Sequence, residues 1–231
     1  MSEHTPSAPP QPQAGRYSED TLNAFRAVTT ASLADAVEQH GRRGYLAGAL
    51  HQVAPGAGTL AGPAVTVREI PAAEAGPPTH ALQAIDEAPA GSVVCIDAGG
   101  ADIAVWGGLM TAGAVARGLA GCVLEGGVRD VTEITRDFPD FAVYARSTVP
   151  ATTLGRIRTV ALNEPVVVGG VDIHPEDLIV ADRDGVVRVP AELVDAVLRT
   201  AQEIEEREKE QTRHILGSGS LRAGLARYNR I

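Results

Sequence analysis

The stretch that most limits how this chain can fold runs from residue 91 to residue 130. GSVVCIDAGG (91–100) is an apolar strand that runs into glycines. GGLMTAGAVARGLAG (107–121) follows, with apolar residues at 109, 112, 116 and 119, the spacing of one helix face. CVLE (122–125) is a second apolar strand. A strand, a helix and a strand in that order form a crossover, the connection a parallel pair requires. The C-terminal ends of the two strands then lie side by side. The turns that leave them, GGLM and GGVRD, face one crevice, the usual ligand position in such sheets.

The flanks follow the same style on one side only. Residues 18–40 carry helical patterns, with Thr30 or Ser32 as candidate cap and Gly41 as a stop. GTLAGPAVTVREI contains a strand, THALQAIDEA a short helix, VTEITRD a helical turn or two, and FAVYAR another strand. PVVVGGVDIHPEDLIVADRDGVVRVP changes character: short β-branched runs are broken by Gly-Gly, His-Pro-Glu-Asp and Arg-Asp-Gly, which are hairpin signals. A long charged helix covers AELVDAVLRTAQEIEEREKEQTRHIL. The expected fold class is α/β, a mixed sheet with a parallel centre and antiparallel C-terminal hairpins. Residues 1–16 read as a disordered tail, 17–216 as one domain and 217–231 as a C-terminal extension.

Composition narrows the function classes. A formal charge of −9 argues against wrapping nucleic acid or resting on anionic lipid. No apolar run approaches the roughly 20 residues that span a bilayer. MSEHTPSAPPQPQAG has neither the cationic start nor the apolar core of a secretion signal, so a cytoplasmic location is expected. Cys95 and Cys122 both lie in apolar strands and read as buried, reduced thiols.

The chemistry concentrates in VLEGGVRD (123–130) and GGLM (107–110). A helix start exposes backbone N–H groups and about half a positive charge, which favours an anion such as a carboxylate or phosphate. IDAGGAD lacks the spacing of a dinucleotide fingerprint. Arg129 offers a planar fork for a carboxylate or keto oxygen. Asp130 offers a hard oxygen for Mg²⁺, which keeps several waters and needs only one or two carboxylates. A plainer reading stands beside this one. Asp130 and Glu133 have the spacing of a helix capping box, and Arg129 could pair with a surface acid. Local pattern leaves the two readings open. Asp182 and Asp184 flank a D-G turn and read as hairpin chemistry. His51, His80 and His174 show no metal-ligand spacing. Trp106 is placed either to wall the crevice or to fill the core.

GGLMTAGAVARGLAGCVLEGGVRD, with the following VTEI and the later PEDLIVADRDGVVRVP, resembles the RraA-like family. That family holds class II 4-hydroxy-4-methyl-2-oxoglutarate / 4-carboxy-4-hydroxy-2-oxoadipate aldolases and RraA regulators of ribonuclease E. The resemblance covers roughly residues 20–215. It implies a swivelling β/β/α fold and a homotrimer or hexamer with sites at subunit interfaces. Arg129 would bind the pyruvate or enolate oxygen, and Asp130 would hold Mg²⁺ or Mn²⁺ largely through waters. Backbone amides of Gly107, Gly108, Leu109 and Met110 would hold the pyruvate carboxylate. Family aldolases also borrow an acid from a neighbour's C-terminal region, for which Glu205 is the nearest match by position.

One departure stands out. Many members carry Asp or Glu where this chain has Gly108, and that acid supports the arginine and the metal's waters. The implied function is a metal-dependent carbon–carbon lyase acting on a small 2-oxo acid through a pyruvate enolate. Aldol cleavage needs a base for the 4-hydroxyl proton and decarboxylation does not, so the Gly108 departure favours oxaloacetate decarboxylase over aldolase. The alternative from another class is a non-catalytic regulator that binds ribonuclease E or another protein.

Overall fold

A computed structural model describes residues 15–47 and 50–228. Most of the expected N-terminal tail and the last residues of the C-terminal extension lie outside the described residues.

The central crossover is built from β3 (Val93–Trp106), α4 (Gly108–Ala116) and β4 (Gly121–Val128). β3 and β4 pair in parallel from Val93–Gly121 to Trp106–Val128. Two more strands extend the parallel centre: β2 (Leu60–Pro71) on β3 and β5 (Ala142–Thr148) on β4. Their crossovers carry α3 (Thr79–Glu87) and α5 (Val131–Asp137). Antiparallel strands complete the sheet: β1 (His51–Pro55) on β5, β9 (Leu178–Ala181) and β10 (Val186–Val189) beyond β2, and β6 (Ile157–Leu162) on the second half of β2. The order is β1-β5-β4-β3-β2-β9-β10, with β6 as a side branch. β7 (Val166–Val168) and β8 (Val171–Ile173) form a separate hairpin. The fold is the expected mixed α/β sheet with a parallel centre.

β2 is long enough to serve three partners in turn: β9 from Leu60, β3 from Ala64 and β6 from Val67. β3 outruns the apolar run that announced it. Gly99 and Gly100 have φ of 62° and 76°, and this left-handed pair lets the chain bulge out after Asp97 before pairing resumes at Ala101. β1 had no clear sequence signal, because HQVAP is short, ends in proline and forms an edge.

Three apolar layers hold these pieces. Ala81, Ala84 and Ile85 of α3, Ala114 of α4 and Ile134 of α5 cover Val67, Ile96 and Leu124 on one face. The β7–β8 hairpin covers Cys95, Val123 and Tyr144 on the other. α1 (Glu19–Arg26), α2 (Thr30–Gln39) and α6 (Val194–Ser218) pack around β9 and β10 through Phe25, Leu33, Val37, Val197 and Ile204. Cys95 and Cys122 are buried and unpaired, and burial pushes both thiols up. Beyond α6, Gly219 turns left-handed and α7 (Leu221–Tyr228) follows. No helix among the described residues is long and apolar enough to cross a membrane.

Local capping differs from expectation by one residue. Thr29, not Thr30 or Ser32, caps α2 by accepting the Ser32 N–H at 3.2 Å. The Thr30 hydroxyl is spent elsewhere, donating to Asp182 at 2.6 Å. Asp182 also accepts the Asp184 N–H at 2.9 Å, so the D-x-D-G stretch does serve its turn.

Asp177 ties the C-terminal hairpins together. It is 1% exposed, pairs with Arg188 at 2.6 Å and accepts the N–H groups of His174 and Ala191 at 2.8 and 3.0 Å. Asp177→Ala strands the Arg188 guanidinium and two amides in the core. We expect a loss of about 3–5 kcal/mol in urea unfolding. A loss below about 1 kcal/mol, the scale of an exposed pair, would refute the assignment.

Candidate active site

The ends of β3 and β4 meet as the crossover requires, and one hydrogen bond joins the two turns. Asp130 begins α5 in the left-handed conformation, φ 60° and ψ 30°, which aspartate tolerates better than most residues. That backbone turns its carboxylate away from α5. The capping box with Glu133 is therefore not formed; Asp130 makes no side-chain cap bond. Its Oδ2 instead accepts the Gly108 N–H at 3.0 Å, across from α4. Holding a non-glycine residue there costs on the order of 1–3 kcal/mol, so the surrounding contacts must impose it.

Arg129 is held through its backbone, whose N–H donates to Trp106 O at 3.1 Å. Its Nε lies 3.7 Å from Asp130 Oδ2, with both side chains over 40% exposed. Such a pair contributes about 0–1 kcal/mol to stability. Its consequence is orientation: the guanidinium stands beside the carboxylate and over the start of α4.

Gly107 caps α4 with extended backbone and no side-chain bond. The Thr111 N–H is the first to find a helical acceptor, Gly107 O, at 3.0 Å. Gly108 N–H is taken by Asp130, which leaves the amides of Leu109 and Met110 without helical partners. Of the four expected amides, Gly108 N–H is thus engaged by Asp130, and those of Leu109 and Met110 stand at the anion-favouring end of the helix.

A cleft of about 280 Å³ brings these groups together. Gly107, Leu109, Met110, Arg129 and Asp130 line it with Trp106, Pro78, Leu82, Thr152 and Thr153. Trp106 fills both roles considered for it. It is 1% exposed, lies parallel to Phe141 with centroids 6.0 Å apart, and donates its indole N–H to the Thr111 hydroxyl at 2.8 Å. Thr152 and Thr153 carry no site signal in the sequence. STVPATTLG has no periodicity, and the loop reaches the cleft through a bridge between Ala104 and Thr152. Arg156 braces it by donating to Thr152 O at 3.0 Å.

Glu205 stands apart within the subunit. Its Oε1 accepts the Thr29 N–H at 2.8 Å at the start of α2, and it does not line this cleft. No group of three or more His, Cys, Asp or Glu capable of holding a metal occurs among the described residues. A metal that demands three protein ligands does not fit. A hydrated Mg²⁺ does, because Asp130 keeps one carboxylate oxygen without a protein hydrogen bond among the described residues, and waters fill the remaining positions.

Comparison with known proteins adds a lineage to this geometry. The RraA-like family, described as Aldolase/RraA, matches residues 30–188. A Halalkalibacterium halodurans protein named "Putative 4-hydroxy-4-methyl-2-oxoglutarate aldolase" is 30% identical over 203 residues, 85% of this chain and 89% of its own length. Protein DlpA of Legionella pneumophila is 34% identical over 168 residues, 70% of this chain; the match spans only 26% of DlpA. The crystal structure of Streptomyces coelicolor RraAS2, described as an unusual member of the RNase ES inhibitor RraA protein family, superposes with a TM-score of 0.79. It is 26% identical, and the match covers 87% of this chain and all of that one.

The two glycines of the turn differ in what they permit. A Cβ on Gly107 would stand 2.8 Å from Asp130 Oδ2 and 3.1 Å from Arg129 Cγ, whereas one on Gly108 would meet Asp130 at 3.5 Å or beyond. Gly107→Ala is expected to destabilise by about 1–3 kcal/mol through overpacking. Gly108→Ala is expected to be neutral or stabilising by up to about 1 kcal/mol. Thermal melts of both variants check the order, and a reversed order would refute the packing.

Proposed function

The chain belongs to the RraA-like family, and from that premise we propose that it is a divalent-metal-dependent lyase that breaks a C–C bond of a 2-oxo acid. Supporting this most directly is the left-handed Asp130, whose carboxylate is turned from its own helix toward Gly108 N–H and Arg129. A capped turn has no need of that strain; a site does. Fold alone does not choose a reaction; these groups do.

The amides of Leu109 and Met110 receive the substrate's carboxylate, aided by the helix dipole. Arg129 sets its fork against the keto oxygen, where negative charge gathers as the C–C bond breaks. Mg²⁺ or Mn²⁺, held by Asp130 largely through waters, would supply further positive charge at that oxygen. Trp106 and Leu82 keep one wall apolar and exclude water, while Thr152 and Thr153 offer hydroxyls to a second polar group of the substrate.

Position 108 selects the reaction. In aldol cleavage of a 4-hydroxy-2-oxo acid, a base takes the hydroxyl proton as the bond electrons move into the enolate. Gly108 offers no such group. In decarboxylation of a 3-carboxy-2-oxo acid the bond electrons move into the enolate as CO₂ leaves, and solvent returns a proton to C3. Oxaloacetate decarboxylation is therefore the preferred activity, with 4-hydroxy-4-methyl-2-oxoglutarate cleavage secondary.

The cleft also reads as one half of a shared site. Leu109 is 90% exposed on its rim, Leu82 is 41% exposed and Leu154 beside it 56%. Such an apolar rim suits burial against another copy in a homotrimer or hexamer. Glu205 of that neighbour is the candidate for an acid at the shared edge, and as a base there it would support the secondary aldol cleavage.

The test is pyruvate release from both substrates with Mg²⁺ or with EDTA. Metal-dependent turnover of oxaloacetate is expected. Arg129→Ala should lower kcat/KM by about 100-fold, the scale of one lost charge-stabilising donor. Asp130→Asn keeps an acceptor for Gly108 N–H and should abolish the metal-dependent turnover. Gly108→Asp should raise aldol cleavage relative to decarboxylation. No metal-dependent pyruvate from either substrate would overturn the enzyme reading in favour of a protein-binding regulator; RraAS2 is described as an unusual member of the RNase ES inhibitor RraA protein family.

A further inference from the structure

One buried acid has no part in the chemistry above. Glu69 is 3% exposed, and neither carboxylate oxygen has a hydrogen-bond partner among the described residues. Burial raises its pKa to about 8. Its position on β2 is informative. Residues 65, 67 and 69 alternate onto one face, where Val65 and Val67 pack with Ala81, Ala84 and Ile85 of α3. Glu69 thus continues the apolar stripe beneath the first turn of α3.

Its ladder neighbour fixes that turn. Glu69 pairs with Thr159 of β6, and Thr159 Oγ1 accepts the His80 N–H at 3.1 Å and lies 2.8 Å from His80 Nδ1. The same turn carries Pro78 and leads to Leu82, both lining the cleft. The charged groups around Glu69 are few. α3 brings His80, whose contact is Thr159. Arg158 of β6 pairs with Ile70, and Asp97 of β3 pairs with Arg68, so both alternate away from Glu69. Asp97 is in addition occupied by the N–H groups of Gly99 and Val167.

We propose that Glu69 is a positioning residue for the cleft wall: as a neutral acid it lets α3 lie on the sheet, and once ionised it draws water beneath the first turn and lifts Pro78 and Leu82 away from Trp106. The proposal rests on the reading of the cleft as the site, but the movement itself needs no substrate. The sign follows from linkage. A carboxyl whose folded-state pKa lies above its unfolded value favours the closed, folded form fully below the unfolded value. That contribution is lost as pH rises through about 8.

Trp106 is the single tryptophan and reports the wall directly. Its emission, followed from pH 6 to 9.5 with far-UV circular dichroism as a check on folding, should shift to the red with a midpoint near pH 8. Backbone amides of 78–83 should exchange faster over the same range. Glu69→Gln should remove both transitions, and His80→Asn should retain them. If Glu69→Gln fails to fold, Glu69→Met serves in its place. An emission that stays flat in the native protein, or a transition unchanged in the Glu69 variant, overturns the proposal. Loss of lyase activity with the transition intact would instead overturn the functional reading alone.

Discussion

Two parallel strands joined by a short helix must end at the same edge of the sheet, and everything distinctive about this protein depends on that constraint. It brings the turn after β3 and the turn after β4 within one hydrogen bond of each other. Gly108 N–H and Asp130 Oδ2 make that bond at 3.0 Å. The bond in turn decides which amides of α4 remain available and where Arg129 stands. Gly107 belongs to the same device, because any side chain there would collide with the Asp130 carboxylate.

Much of this is legible in the sequence. The alternation of apolar strand and apolar-faced helix specified the parallel centre, and Gly-Gly and Asp-Gly breaks specified the hairpins. Legibility failed where long-range contact decides. Asp130 and Glu133 have capping-box spacing, yet the box is absent, because a bond to a residue 22 positions earlier turned the aspartate left-handed. No local pattern encodes that competition. Thr152 and Thr153 reached the cleft through a single bridge to Ala104, and β1 formed at an edge from residues with little strand preference of their own. Glu69 carried no signal at all. In the sequence it is one charged residue in a strand, and only the fold, which pairs it with Thr159 beside the first turn of α3, makes it a buried acid.

The site draws its charged groups and its apolar wall from different elements. Arg129 and Asp130 ride on the ends of central strands, where backbone bonds to Trp106 and Gly108 hold them. The apolar wall of Pro78 and Leu82 sits on α3, anchored in part by one threonine hydroxyl above an unpartnered acid. Under the proposal for Glu69, the wall would move while the charged groups keep their place, an arrangement suited to admitting a small anion and then excluding water. The exposed leucines around the same cleft extend the argument outward, since a second subunit would finish what the single chain leaves open.

The central claim is that the paired turns form a 2-oxo acid site, and a crystal structure with Mg²⁺ and pyruvate, or oxalate as a planar mimic of its enolate, tests it most directly. The predicted result is a carboxylate on the N–H groups of Leu109 and Met110, a second oxygen on Arg129, and a hydrated ion on Asp130. Ligand bound elsewhere with Arg129 and Asp130 untouched, or no binding at millimolar concentration, would contradict it.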